Sequence, residues 1–194
     1  MEICVVGMGY IGLPTALMLA ANGQKVTGVD YKESVVTSLR EGKVTFKEAG
    51  LPELFAQACS KGIRFQQEYP VADCYIIAVP TPYEVESKKI DAAYVVAACE
   101  KILEVCQDNA ILAIESTVSP GTIDKDIRPI VERSGKKVHL VHVPERILPG
   151  NMIYELQHNS RTIGCDDDAV GAMVQVIYSS FCKGEIVRTD IRTA

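Results

Sequence analysis

The sequence predicts an α/β fold, doubly wound around a mainly parallel sheet with helices on both faces. Three observations predict it. Apolar runs of strand length alternate with helical periodicity along all 194 residues. The run Cys74-Tyr75-Ile76-Ile77-Ala78-Val79 is apolar almost without interruption, as a strand covered on both faces must be. No Pro/Gly/Ser-rich linker and no internal repeat divides the alternation.

The first strand, Ile3-Cys4-Val5-Val6, runs into Gly7-Met8-Gly9-Tyr10-Ile11-Gly12. In a G-x-G-x-x-G turn the first glycine allows a tight exit from the strand. The second lets a pyrophosphate approach the backbone, and the third lets the helix pack close to the sheet. A helix over about 10–22 follows. Pro14 stands in its first turn, where a missing N–H costs little, and Asn22-Gly23 closes it. N–H groups at its start favour phosphate. Residues 25–30 form a second strand ending in Asp30, placed to accept hydrogen bonds from an adenosine ribose and to repel a 2′-phosphate. Strand, turn, helix and acid together make the turn a Rossmann-like site for NAD rather than NADP, with Gly7, Gly9, Tyr10, Gly12 and Asp30 at the cofactor.

Further along, 34–40 reads as a short helix and 43–50 as a polar surface connection. Leu51–Ser60 is a helix with Leu51, Leu54, Phe55 and Ala58 on one face, and 63–67 is a short strand. The central strand over 73–79 stops at Pro80-Thr81-Pro82, because prolines forbid its continuation. Residues 84–90 read as a charged loop, and Asp91 caps a helix to about Cys106. Residues 110–115 and 138–143 are strands on either side of a helix over 123–133. A short helix at 152–157, a strand at 162–165, a helix from 166 to about 181 and a strand at 185–188 complete the alternation. Asp166, Asp167 and Asp168 read as a capping cluster rather than a metal site.

Bulk properties narrow the function. The formal net charge is −5 with no basic run and no aromatic platform among lysines and arginines, which argues against nucleic acid or an anionic membrane as partner. The first strand begins at residue 2 or 3, leaving no room for a signal peptide, and no apolar segment is long enough to span a bilayer; a cytoplasmic protein is expected. The seven cysteines show no CxxC pair and no histidine at zinc-finger spacing, so they read as small core residues, with no metal.

Ligands of open α/β sheets bind outside the carboxyl ends of the strands. Those ends carry the glycine turn, Val79-Pro80-Thr81-Pro82, Glu115-Ser116-Thr117-Val118 and Val143-Pro144-Glu145-Arg146. Thr81 and Thr117 are candidate ligand contacts or turn residues. Glu145 is a candidate general base on a water, with Arg146 binding an anionic or polar group; alternatively the two form a rim ion pair. Glu115 reads as a solvated turn, and His139, His142 and His158 as strand or surface residues.

The four segments, read with Leu13-Pro14-Thr15-Ala16 after the glycine turn and with Ile147-Leu148-Pro149-Gly150-Asn151 after Arg146, resemble the N-terminal domain of the nucleotide-sugar 6-dehydrogenases. These are the UDP-glucose/GDP-mannose dehydrogenases. Pro-Glu-Arg-Ile-Leu-Pro-Gly is most similar to the branch containing UDP-N-acetyl-D-mannosamine dehydrogenase; UDP-glucose dehydrogenases usually follow Pro-Glu with an apolar residue. The resemblance implies oxidation of a UDP-sugar 6-hydroxyl to a carboxylate by two NAD, through a cysteine thioester that water hydrolyses. It places Ile11, Asp30, Thr81 and Thr117 at NAD, gives Glu145 and Thr117 catalytic roles, and sets Arg146 and Ile147 against the nucleotide sugar. Lys32 or Arg40 takes the place of a basic residue that many members carry after the ribose acid.

The family's catalytic Lys and Asn, on a long central helix, and its nucleophilic Cys have no counterpart in these residues. The expectation is an NAD-binding domain over 1–188 and the start of the linker helix over 189–194, the N-terminal half of a longer enzyme that is a homodimer when complete. Other 6-dehydrogenases of UDP-glucose or GDP-mannose, a dehydrogenase of the 6-phosphogluconate or β-hydroxyacid kind, and a stand-alone NAD-binding module remain as alternatives.

Overall fold

Side chains on alternate residues of each strand divide the core into two layers. In the computed structural model, which describes residues 1–86 and 88–194, Ile3 and Val5 face one layer while Cys4 and Val6 face the other. They belong to β1 (Glu2–Val6), which leads through α1 (Gly12–Ala21) to β2 (Lys25–Val29). The chain then forms α2 (Glu33–Arg40), α3 (Leu51–Ser60), β3 (Arg64–Gln66) and β4 (Cys74–Ile77). A small ribbon, β5 (Tyr83–Glu84) and β6 (Lys89–Ile90), precedes α4 (Ala93–Val105) and β7 (Ile111–Ile114). A π-helical turn (Ile123–Ile127) opens α5 (Arg128–Ser134), and β8 (His139–His142), α6 (Met152–His158), β9 (Arg161–Cys165), α7 (Asp168–Ser179) and β10 (Ile186–Thr189) follow.

The main sheet has the order β10-β9-β8-β7-β4-β1-β2-β3. From β1 the chain builds outward through β2 and β3 on one side and through β4, β7 and β8 on the other, all parallel. The first layer packs α1, α3, α6 and α7 against Ile3, Val5, Ile76, Ala113 and Val141; the second packs α4 and α5 against Val6, Tyr75, Ile77 and Leu112. Every residue of α1 is buried, which explains a helix apolar all round rather than along one stripe.

The sheet is mainly parallel, as expected, with one antiparallel step: β9 runs antiparallel to β8, with Val141 opposite Cys165, and β10 is parallel to β9. Between β8 and β9 the only regular element is α6, seven residues and about 10 Å of helix. The chain stays at the carboxyl rim and re-enters the sheet from there. Residues 84–90, read as a loop, form with Tyr83 an antiparallel ribbon that pairs Tyr83 with Ile90 and Glu84 with Lys89; Ser87 lies outside the described residues. The connection at 43–50 is not merely superficial, since Val44 and Phe46 pack on the first layer.

Asp167 caps α7 by accepting hydrogen bonds from the N–H groups of Ala169 (2.9 Å) and Val170 (3.2 Å), as read from sequence. After β10, Asp190 accepts from the N–H groups of Arg192 and Thr193 and from the Thr193 hydroxyl, closing a single turn. No helix among the described residues is long and apolar enough to cross a membrane.

Leu17, buried in α1, should tolerate truncation poorly. Leu17→Ala is expected to lower stability by about 2–5 kcal/mol in urea denaturation. Val176→Ala, on the exposed side of α7, should stay within about 0.5 kcal/mol of the parent.

Candidate functional site

Strand order reverses at β1, so a crevice opens between the carboxyl ends of β1 and β4. Gly7 leaves β1 at φ +93° and donates its N–H to Val29 O at 2.7 Å. A Cβ on Gly7 would stand 2.6 Å from Ala78 O, at the end of β4, and a Cβ on Gly12 would collide with Gly7 O. These two glycines are required by the protein's own packing. Gly9 is different: a Cβ there would meet nothing within 4 Å. The first bond of the helix runs from Leu13 N–H to Gly9 O, leaving the preceding N–H groups without intrahelical partners. The open space over Gly9 and those donors fit a diphosphate.

Asp30 stands beside the turn as expected, and it has a second task. One oxygen accepts from the buried Met8 N–H at 2.8 Å, and the other from Lys32 N–H at 2.9 Å. The acid therefore clamps the glycine turn to β2, while its spare lone pairs remain available to ribose hydroxyls. Arg40 donates through Nε to Phe65 O at 2.7 Å and Lys32 lies over the Tyr31 ring at 5.5 Å, so Arg40 is tied to backbone. The half-exposed Tyr10 ring stacks on Phe46, with centroids 4.4 Å apart. Ile11 is partly exposed at the start of α1.

Across the crevice, Thr81 is half-buried after β4. Ser116, buried after β7, donates to Val79 O at 2.7 Å and so joins the two loops. Thr117 is exposed and donates to Glu145 O at 3.4 Å, joining the loop after β7 to that after β8. Arg146 is exposed, Ile147 packs partly against the first core layer, and Glu48 anchors their loop by accepting from Gly150 and Met152 N–H.

The alternative of a rim ion pair between Glu145 and Arg146, and the reading of Glu115 as a solvated turn, are both corrected by the structure. Glu145 forms an ion pair with Arg161, and Arg146 contributes its backbone N–H to the other carboxylate oxygen at 2.6 Å. Arg161, 3% exposed, also binds Glu115 at 3.1 Å. Glu115 is buried and accepts from Tyr178 Oη at 3.2 Å and Thr15 Oγ1 at 3.4 Å. Antiparallel β9 is the reason: it brings its first residue, Arg161, to the rim where the parallel strands end. Burial pushes the Glu115 carboxyl up to about 7; Arg161 opposes this and Glu145 reinforces it. Arg161 was missed, and the signal available was a cation opening an otherwise apolar core strand.

Other chemistry is sparse. Burial pushes the Cys74 and Cys99 thiols up to about 12, which suits core residues rather than nucleophiles; Cys59 is exposed. His142 is buried in β8, and burial lowers its affinity for a proton. No cluster of three or more metal-ligating side chains is found among the described residues. A cavity of about 440 Å³ over α4 and α5, lined by Asp91, Val96, Lys125, Asp126 and Arg133, contains none of the candidate site residues.

With this geometry in place, comparison with known proteins is specific. The family model described as the NAD binding domain of the UDP-glucose/GDP-mannose dehydrogenase family matches residues 1–182. A UDP-N-acetyl-D-mannosamine dehydrogenase of Methanococcus aeolicus is 42% identical over all of this chain and 45% of its own length. The native structure of the UDP-N-acetyl-mannosamine dehydrogenase of Staphylococcus aureus superposes with a TM-score of 0.94 at 36% identity, covering 100% of this chain and 48% of that one. A ternary complex of GDP-mannose dehydrogenase from Pseudomonas aeruginosa gives 0.91 at 27% identity, covering 100% and 47%. The chain spans about half the length of the curated relatives it matches.

Gly12→Ala is expected to destabilise strongly or prevent folding, whereas Gly9→Ala should leave the thermal midpoint within a few degrees of the parent while filling the diphosphate cradle. Glu115 generates a pH signature. Its carboxyl binds a proton more tightly folded than unfolded, so its contribution to stability is full below about pH 4.5 and is lost as pH rises through about 7. In denaturation series across that window, Glu115→Gln should remove this falling component relative to the parent.

Proposed function

Because the chain belongs to the UDP-glucose/GDP-mannose dehydrogenase family, we propose that it is the NAD-binding half of a nucleotide-sugar 6-dehydrogenase whose substrate is UDP-N-acetyl-D-mannosamine. The observation that carries the proposal is the shared rim. The glycine cradle with Asp30 occupies one wall of the crevice at the carboxyl ends of the strands, and Thr117 with Glu145 lies along the same edge. The name of the Methanococcus relative and the Arg146-Ile147 sequence support the choice of sugar.

The overall reaction converts R–CH₂OH, two NAD⁺ and water into R–COO⁻, two NADH and three protons. NAD supplies the two-electron acceptor for each step. In our assignment Gly7, Gly9, Tyr10, Ile11 and Gly12 cradle the dinucleotide, Asp30 binds the adenosine ribose, and Thr81 and Thr117 contact NAD. Thr117 also acts at the reacting centre, and Glu145 serves as general base for the water that releases the carboxylate. Arg146, exposed at the rim, and Ile147 meet the nucleotide sugar. The nucleophilic thiol belongs to the remainder of the enzyme, in keeping with the buried, weakly acidic thiols here.

Residues 1–188 are assigned to the NAD-binding domain and 189–194 to the start of the linker helix; Thr189 still closes β10, and the turn capped by Asp190 supports a helix start after it. The complete enzyme is taken to be a cytoplasmic homodimer, with its dimer contact on that linker.

Calorimetric titration of the 194-residue chain should show NAD binding and at least about tenfold weaker NADP binding, the loss expected from a 2′-phosphate beside a carboxylate. Equal affinity for the two would count against the role of Asp30. The chain alone should form no NADH from a UDP-sugar, and steady turnover by it would contradict the assignment of the missing thiol.

A further inference from the structure

Glu145 is the only member of its buried cluster to which the proposed reaction gives a task. The whole arrangement needs an explanation, because burying three charges is costly unless they are well paired. The side chains of Glu115, Arg161 and Glu145 are 0%, 2% and 7% exposed. Two acids share one guanidinium: Nη1 donates to Glu115 at 3.1 Å, and Nη2 pairs with Glu145. Simple anchoring of the loop after β8 would need one acid, and the second adds repulsion.

The geometry gives each member a distinct task. Glu145 lies in a segment without regular structure, and its carboxylate is held by the Arg146 backbone N–H on one oxygen and by Arg161 on the other. Arg161 opens a strand paired on both sides, and its guanidinium lies over the Tyr178 ring at 4.5 Å and near Phe181 at 5.8 Å, an arrangement that favours a cation. Glu115 ends β7 and is held by Tyr178 from α7 and Thr15 from α1. The other titratable groups acting on the cluster are the Cys182 thiol after α7 and the Cys74 thiol on β4. No second cation is among them. A carboxylate bound to an undivided guanidinium charge is a weakened base; one that shares the charge with a second carboxylate is weakened less.

We infer that Arg161 and Glu115 are positioning residues for Glu145: Arg161 fixes its carboxylate at the rim, and Glu115 shares the guanidinium, so that the Arg161 charge is not committed to Glu145 alone. The inference rests on the dehydrogenase reading above, and it adds two residues to which neither the glycine turn nor the Pro-Glu-Arg motif points.

The test uses Glu115→Gln, Arg161→Lys and Arg161→Met in the full-length enzyme, with kcat measured against pH, KM for both substrates, and NAD affinity. Glu115→Gln should lower kcat by about 10- to 100-fold, a part of what a general base contributes. It should also move the acid limb of the kcat profile to lower pH, with NAD affinity within about twofold of the parent. Arg161→Lys should recover most of the rate that Arg161→Met loses. Should Arg161→Met fail to fold, the near-isosteric Glu115→Gln and Arg161→Lys decide. ¹³C NMR of labelled glutamates supplies a readout independent of turnover: Glu145→Gln should lower the Glu115 midpoint from about 7. Normal turnover with superimposable pH profiles, or a Glu115 midpoint indifferent to Glu145→Gln, overturns the positioning role alone. Absence of NAD-dependent UDP-sugar oxidation by the parent enzyme overturns the dehydrogenase reading and the inference with it.

Discussion

No side chain larger than hydrogen fits between the start of α1 and the turn that leaves β1. A Cβ on Gly12 would collide with Gly7 O, and one on Gly7 would press on Ala78 O. This close approach sets the rest of the rim. It places the free N–H groups of α1 beside the end of β4, lets Asp30 reach the Met8 N–H, and leaves open space, among the three glycines of the turn, only at Gly9. The same three glycines thus divide into two that the fold needs and one whose small size serves something outside the chain.

A second constraint holds the far wall. The loops after β4, β7 and β8 are stitched by Ser116 to Val79 and by Thr117 to Glu145, and below them Arg161 joins Glu145 to Glu115. Glu115 in turn touches Thr15 of α1, the helix whose start forms the cradle. The two walls are therefore connected through hydrogen bonds as well as through the sheet. This connection is what a reaction joining a dinucleotide to a second substrate requires of a scaffold.

Much of this was legible in the sequence. The mainly parallel α/β class followed from the alternation, and the glycine turn, the place of Asp30 beside it and the capping role of Asp167 followed from local chemistry that acts within a few residues. What was not legible depends on long-range register. The antiparallel setting of β9 comes from a short return at the rim, and an apolar strand reads alike in either direction. With that direction unknown, Arg161 had no place, a rim ion pair with Arg146 stood open as an alternative for Glu145, and Glu115 read as a solvated turn. The β5–β6 ribbon was hidden because its strands are two residues each and strongly charged.

The central claim is that ligand binding belongs to the carboxyl rim at β1 and β4. Amide ¹H–¹⁵N spectra of the chain during titration with NAD test it most directly. The account predicts that the largest shift changes fall on Gly9, Ile11, Gly12, Lys32 and Thr117, with those lining the cavity over α4 and α5 unmoved. Changes centred instead on Asp91, Val96, Lys125 and Arg133 would contradict it.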